Sequence, residues 1–313
     1  MRIVISEFMD DAAVSRLAAK HDTLYDKGLV DRPDALAAAL KNADALIVRN
    51  RTQVDRKLLA AAPALKVVGR LGVGLDNIDV DACRERGIEV IPATGANALA
   101  VAEYVIASAM LLLRGAYAST AGVADGKWPR ASLSNGRELA GKTLGVVGFG
   151  GIGRLAGRLG RTLGMRVIGF DPQVAPYARV WSDEATTAYG LDALLAEADV
   201  VTLHVPLTDA TRHLIDATRL QQMKPGAILI NTARGGVVDE SAVAAALKTG
   251  QLGGAALDVF EQEPLPAGSP LAGCPNLLLT PHIAGVTAES NTRVSSLIAD
   301  KVAAALALTK ATG

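Results

Sequence analysis

Three apolar runs in the last third of the chain end in residues able to do chemistry. "AILINTA" leads to Arg234, "GAALDVF" to Glu261 and Glu263, and "NLLLTP" to His282. A guanidinium at the end of a buried strand is costly unless it is paired, so Arg234 should meet a structural carboxylate or a ligand. An arginine, one of the two glutamates and a histidine on one edge could oxidise a secondary alcohol. The imidazole would take the hydroxyl proton and the carboxylate behind it would stabilise the imidazolium. The guanidinium would hold an adjacent carboxylate and polarise the carbonyl. Of the competing histidines, His21 near a helix end and His213 in "LTDATRHLI" read as surface residues, and His204 before Val205 and Pro206 suits a wall of a nucleotide pocket. His282, between Pro281 and the small residues of "IAG", is the expected base.

These positions depend on strands that run in parallel. The first hundred residues alternate short apolar runs ("IVIS", "DALIVRN", "LKVVGR", "IEVIPATG") with helical stretches, which predicts a parallel sheet covered by helices. A helical run, "ANALAVAEYVIASAMLLLRGA", follows and ends at Gly115. A second alternating unit begins at "KTLGVVGFGGIGRLAGRLGRTLGMRVIGFDP" and continues through "DVVTLHVP", "AILINTARG", "GGAALDVF" and "NLLLTPHIAG". The expected fold class is therefore α/β with two doubly wound parallel sheets. Ligands of such sheets lie beyond the carboxyl ends of the strands, where the arginine, glutamates and histidine fall. The last helical run, "TAESNTRVSSLIADKVAAALAL", has no obvious place on the second sheet and is expected to return to the first domain.

In "GVVGFGGIG", Gly148, Gly150 and Gly153 stand between a strand and a helix in the pattern of a pyrophosphate turn. The glycines permit a tight turn, close backbone approach and close helix packing, and the helix N-terminus favours an anion. Asp171 ends the next strand, where a carboxylate can accept the ribose hydroxyls and would repel a 2'-phosphate. NAD is expected rather than NADP.

At 313 residues the chain exceeds a comfortable single core. Lys+Arg and Asp+Glu are 32 each with no long basic run, which argues against nucleic acid or a membrane surface as partner. The start, "MRIVISEF", carries no apolar leader and no apolar run is long enough to span a bilayer, so a cytoplasmic protein is expected. Cys83 and Cys274 are far apart without metal-ligand spacing; thiols and no metal are expected.

"GFGGIG", "NTARGGVVDE", "ALDVFEQEPL" and "TPHIAG", in this order and spacing, resemble the D-isomer-specific 2-hydroxyacid dehydrogenase family along nearly the whole chain. The resemblance implies a Rossmann NAD domain over residues 99–285 and a smaller, flavodoxin-like substrate domain formed by 1–98 with 286–313. It implies Arg234 as carboxylate clamp and carbonyl polariser, Glu263 as partner of the base and His282 as acid/base, with Arg234 and His282 bordering cofactor and substrate. Gly151 and Ile152 would give amides to the pyrophosphate, and Val205, with Pro206 beside it, would touch the adenosine side. Thr232 and Ala233 would line the nicotinamide, while Asp258 and the Gly285 backbone would hold its carboxamide. Glu261 matches no catalytic position of the family and reads as a loop residue. The resemblance also implies a homodimer; Tyr104 to Leu113 is a candidate interface, with core packing the alternative.

"VVGRLGVGLDNIDV" resembles the family's substrate loop, in which the amides of Gly72, Val73 and Gly74 would receive a carboxylate. Arg49, Arg51 and Arg70 follow or end strands of the first domain and could reach the interdomain cleft, where they would suit a second anionic group. "IVRNRTQVD" with "GRLGVGLDNID" is similar to sulfolactate dehydrogenases; Arg49 and Arg70 also match 3-phosphoglycerate dehydrogenases, but Arg51 does not. Arg51 paired with Asp55 as a solvated loop residue is the competing reading. The small anionic substrate is expected to be 3-sulfolactate, then 3-phosphoglycerate, with a glyoxylate/hydroxypyruvate reductase as alternative. The chain stops at 313 without the regulatory domains of many phosphoglycerate dehydrogenases, so serine feedback is not expected. A rival of another class is an NADH-sensing binding protein, since the C-terminal-binding co-repressors resemble the same family. A formate dehydrogenase would carry Gln rather than Glu263 beside the histidine.

Overall fold

The computed structural model describes residues 1–311. The chain forms two compact units, Met1–Asn97 with Val286–Gly313 and Ala98–Gly285.

Unit 1 holds a five-stranded parallel sheet of β1 (Arg2–Ile5), β2 (Asp22–Tyr25), β3 (Ala45–Val48), β4 (Val67–Arg70) and β5 (Glu89–Pro92), in the order β2-β1-β3-β4-β5. This is the flavodoxin-like order. The central strands β3 and β4 are buried along their whole length, which is why β3 reads as an unbroken apolar run and β4 is apolar up to Arg70 at its end. β2, "DTLY", carries no such run because it pairs with β1 alone at the sheet edge, and its pattern hid it from the sequence reading. Alternate strand residues serve opposite faces. Ile3, Ile5, Ala45 and Ile47 pack with Ile298, Val302 and Leu306 of the last helix, Ala288–Ala311. Val4, Leu46, Val48 and Val68 pack with Leu36, Leu40 and Leu59 on the other face.

The last helix lies on β4 because that strand has a glycine there: a Cβ on Gly69 would stand 2.8 Å from Val302 Cγ2 and 2.9 Å from Ile298 Cγ2. Asp10, the N-cap of helix Asp11–Ala18, ties a second element to it through its amide, which donates to Ser295 Oγ at 3.0 Å.

Unit 2 holds seven parallel strands: β6 (Thr143–Val147), β7 (Arg166–Phe170), β8 (Thr187–Ala188), β9 (Val200–Leu203), β10 (Ala227–Asn231), β11 (Leu252–Leu257) and β12 (Leu277–Leu279). Their order is β12-β11-β10-β9-β6-β7-β8, so the direction of winding reverses between β6 and β9. That reversal opens a crevice at the carboxyl ends, the binding edge of such sheets. Helix Ala98–Arg114 packs against β10, β11 and helix Gly151–Thr162, with Val101, Val105, Ala109, Leu112 and Leu113 buried. Most of the run considered as an interface is therefore core; Met110 and Leu111 remain exposed. β8 and helix Arg179–Asp183 are short elements without a strong sequence pattern, and Trp181 of that helix stacks on Phe149 with ring centroids 4.4 Å apart.

No helix among the described residues is long and apolar enough to cross a membrane, and Cys83 and Cys274 are both thiols. Gly69→Ala is expected to destabilise unit 1 by roughly 1–3 kcal/mol, since the β-branched tips of Ile298 and Val302 cannot yield without moving the helix. Chemical denaturation followed by circular dichroism measures this.

Candidate active site

The turn after β6 is shaped by close approaches. Gly148 has φ 94°, and a Cβ there would lie 2.6 Å from the His204 carbonyl oxygen. A Cβ on Gly153 would lie 2.1 Å from the Gly148 carbonyl. At Gly150 and Gly151 a Cβ would meet nothing within 4 Å, so these two present bare backbone at the start of helix Gly151–Thr162, where Ile152 also lies. Asp171, just past β7, accepts from the Phe149 amide at 2.7 Å and the Gln173 amide at 2.8 Å. Its carboxylate is thereby fixed beside the turn with lone pairs to spare for hydroxyl donors. Val205 is buried with Cγ1 3.1 Å from the Cβ position of Gly148, and Pro206 is exposed. A dinucleotide fits this cradle: open backbone at a helix N-terminus, an acceptor at the next strand end, and, past β10, a Thr232 hydroxyl buried without a hydrogen-bond partner.

Arg234 sits in a loop organised by Asn231, the fully buried last residue of β10. Asn231 Oδ1 accepts from the Ala233 amide at 3.0 Å and its Nδ2 donates to the Arg234 carbonyl at 3.0 Å. Arg234 Nη1 donates to the Ala233 carbonyl at 2.6 Å. The loop then presses on the one after β11, since a Cβ on Gly235 would fall 1.6 Å from the Phe260 carbonyl oxygen. The β11 loop carries Glu263. Its Oε1 accepts from the Phe260 amide at 3.1 Å, and its Oε2 lies 2.8 Å from His282 Nδ1. Both side chains are partly solvent-exposed. Glu261 is turned to His213 instead, with 3.2 Å between Oε1 and Nε2, and its amide donates to the buried Glu240 at 2.6 Å. Of the two glutamates, Glu263 is therefore the one that meets His282.

His282 adopts φ 56°, a backbone conformation rare outside glycine. It is held there by Asp258, 1% exposed. Asp258 Oδ1 accepts from Thr280 Oγ1 at 2.6 Å and the Ile283 amide at 2.8 Å, and Oδ2 from the Ala284 amide at 2.8 Å. Its carbonyl accepts from the His282 amide at 2.8 Å. Because Thr280 donates to Asp258, Tyr104 must donate to Thr280 across their 2.6 Å contact. Burial pushes the Tyr104 hydroxyl above its ordinary pKa, which keeps that donor protonated. The sequence did not point to Asn231 or Thr280, and it offered Tyr104 only as the end of a candidate interface; a polar Asn closing an otherwise apolar strand was the one available signal.

Unit 1 places its expected residues at the carboxyl edge of its own sheet. Arg70, the last residue of β4 and 9% exposed, lies over the glycine turn, for a Cβ on Gly72 would fall 2.0 Å from Arg70 Nη1. The Gly72 amide donates to the Arg70 carbonyl at 2.8 Å, so among the three expected amide donors it already has an internal acceptor; Val73 and Gly74 follow in the turn. Arg49 is half-buried and donates to Asn291 Oδ1 at 2.8 Å. Arg51 is exposed and forms an ion pair with Asp31. Asp55 is not its partner, because Asp55 caps helix Arg56–Ala60 by accepting from the Leu58 amide at 2.8 Å.

The model of the D-isomer specific 2-hydroxyacid dehydrogenase NAD binding domain matches residues 106–284, more than half of the chain. The chain belongs to this family. It is 55% identical over 304 residues, 97% of its length and 98% of the relative's, to the (S)-sulfolactate dehydrogenase of Chromohalobacter salexigens. It is 42% identical over 98% of its length to the D-3-phosphoglycerate dehydrogenase of Mycobacterium bovis, of which it spans 58%. A crystal structure of a Thermus thermophilus protein superposes with a TM-score of 0.87 at 35% identity, covering 98% of this chain and 97% of that one. The protein is thus an NAD-dependent oxidoreductase of the 2-hydroxyacid dehydrogenase type with two parallel-sheet α/β units.

One histidine of this dehydrogenase titrates far from its usual range. Burial pushes His204, whose Nε2 lies 3.0 Å from Thr202 Oγ1, from 6.5 down to about 4. The unfolded chain binds this proton at pH 6.5 and the folded chain only at about 4, so stability is full above pH 6.5 and falls as pH drops towards 4. His204→Asn should therefore lose less unfolding free energy than the parent between pH 7 and pH 5, by about 2 kcal/mol. Urea denaturation at the two pH values measures the difference.

Proposed function

We propose that this dehydrogenase interconverts (S)-3-sulfolactate and 3-sulfopyruvate in the cytoplasm. The observation that carries the reaction class is the Glu263–His282 pair at 2.8 Å, on a loop contiguous with that of Arg234. A carboxylate only accepts, so Glu263 fixes the proton on Nδ1 and leaves the Nε2 lone pair for the substrate hydroxyl. In the oxidation direction His282 Nε2 takes the proton of the substrate hydroxyl while Glu263 stabilises the imidazolium. Arg234 holds the carboxylate and polarises the oxygen that becomes the carbonyl. NAD, when bound, supplies the acceptor of the hydride from the same carbon. Gly150, Gly151, Ile152 and Gly153 would hold its pyrophosphate and Asp171 its ribose. Val205 and Pro206 would border its adenosine. Thr232, Ala233, Asp258 and Gly285 would surround its nicotinamide.

The substrate reading is supported by the likeness to the (S)-sulfolactate dehydrogenase and by two arginines of unit 1. Arg49 and Arg70 would take the sulfonate, with the amides of Val73 and Gly74 for the carboxylate. Arg51, bound to Asp31, is the weaker candidate. 3-Phosphoglycerate is the second reading, since the same arginines suit a phosphate. A homodimer is proposed from the exposed apolar side chains Met110, Tyr117, Val123 and Trp128 on consecutive segments.

Loss of NADH absorbance with sulfopyruvate, phosphohydroxypyruvate, glyoxylate and pyruvate tests the reading. Sulfopyruvate is expected to give the highest kcat/KM, and Arg234→Ala should lower it by roughly two to three orders of magnitude. Reduction of none of the four by protein that binds NADH would sink the proposal. Light scattering should return twice the chain mass of 32.3 kDa, and a Tyr117→Ser/Trp128→Ser variant should move towards the single-chain value.

A further inference from the structure

The neighbouring arginines Arg49 and Arg51 are held in opposite ways. Arg51 is gripped by the Asp31 carboxylate, so its charge is neutralised where it stands. Arg49 donates to Asn291 Oδ1, a neutral carbonyl oxygen, at 2.8 Å, and its guanidinium carbon lies 5.8 Å from the centroid of the Phe8 ring. Both contacts orient a guanidinium without cancelling its charge. Glu7, the carboxylate whose charge acts on Arg49, is 4% exposed and makes its hydrogen bonds to the backbone rather than to the guanidinium. It accepts from the amides of Arg49 at 2.8 Å, Thr52 at 3.0 Å and Arg51 at 3.1 Å. Glu7 thereby fixes the path of the arginine loop, and Asn77 completes the hold by donating to the Thr52 carbonyl at 2.7 Å. Asn291 sits in the first turns of the last helix, which is locked on β4 by Gly69.

We propose that Asn291 is a positioning residue that sets selectivity for a second anion on the substrate, by holding Arg49 through an uncharged acceptor. The inference rests on the proposed function in taking Arg49 to meet that anion. A carboxylate in place of Asn291 would hold the guanidinium as Asp31 holds Arg51. It would orient Arg49 equally well but offset the charge the ligand needs. An amide one methylene longer would keep the charge.

The test compares kcat/KM for sulfopyruvate, which carries a sulfonate, with that for glyoxylate, which has no second anion. In Asn291→Asp the sulfopyruvate-to-glyoxylate ratio should fall at least tenfold, through KM for sulfopyruvate rather than kcat. In Asn291→Gln it should stay within threefold of the parent. Unfolding midpoints and NADH affinity of both variants report whether the fold is intact, and a damaged fold would lower both substrates together. A parent enzyme that prefers sulfopyruvate and an Asn291→Asp variant that keeps the parental ratio would overturn this inference alone. A parent that uses glyoxylate as well as sulfopyruvate would overturn the second-anion reading and this inference with it. If Asn291→Gln lost the ratio as fully as Asn291→Asp, geometry and not charge would govern, and the inference would again be wrong.

Discussion

The buried carboxylate of Asp258 is the constraint on which the candidate site depends. It stands just past β11 and accepts three hydrogen bonds from the segment after β12, which it bends into the unusual backbone conformation of His282. A buried carboxylate in such a place is tolerable only when its lone pairs are satisfied, and the amides of Ile283 and Ala284 with the Thr280 hydroxyl do this. Those bonds aim the imidazole at Glu263, which is itself held by the Phe260 amide. His282 and Glu263 follow different strands, and adjacent parallel pairing of β11 with β12 brings their loops together.

Polar residues at strand ends repeat this arrangement. Asn231 at the end of β10 turns a buried acceptor on the amide of its own loop, and Asp171 after β7 and Glu7 after β1 turn theirs on the amides of a neighbouring loop. The loops carry the chemistry while the strand ends hold them, so rigid backbone rather than long side chains fixes the geometry. Glycine does the complementary work. At Gly235 the Arg234 loop touches the carbonyl of Phe260, and at Gly69 the final helix meets the sheet.

The electrostatics of unit 1 turn on what each cation is given as partner. A carboxylate partner makes an arginine a surface tie, as with Arg51 and Asp31, whereas a neutral acceptor leaves the charge available, as with Arg49 and Asn291. Sequence position does not distinguish the two arginines, which lie two residues apart.

The sequence by itself determined the class of fold and the residue types of the site. Buried parallel strands must be apolar throughout, and their carboxyl ends must carry whatever meets a ligand. The glycine turn, Asp171, Arg234 and His282 were therefore legible from runs and their endings. The polar edge strand β2 and the two-residue β8 were not, and Glu263 was told from Glu261 only through the family resemblance, because each depends on a neighbour distant in the chain. Only the tertiary structure decided that Glu261 faces His213, that Arg51 faces Asp31 rather than Asp55, and that Asn291, 242 residues along the chain from Arg49, reaches its guanidinium. Local pattern records which groups must be buried or satisfied; the partner that satisfies them is chosen by packing between distant segments.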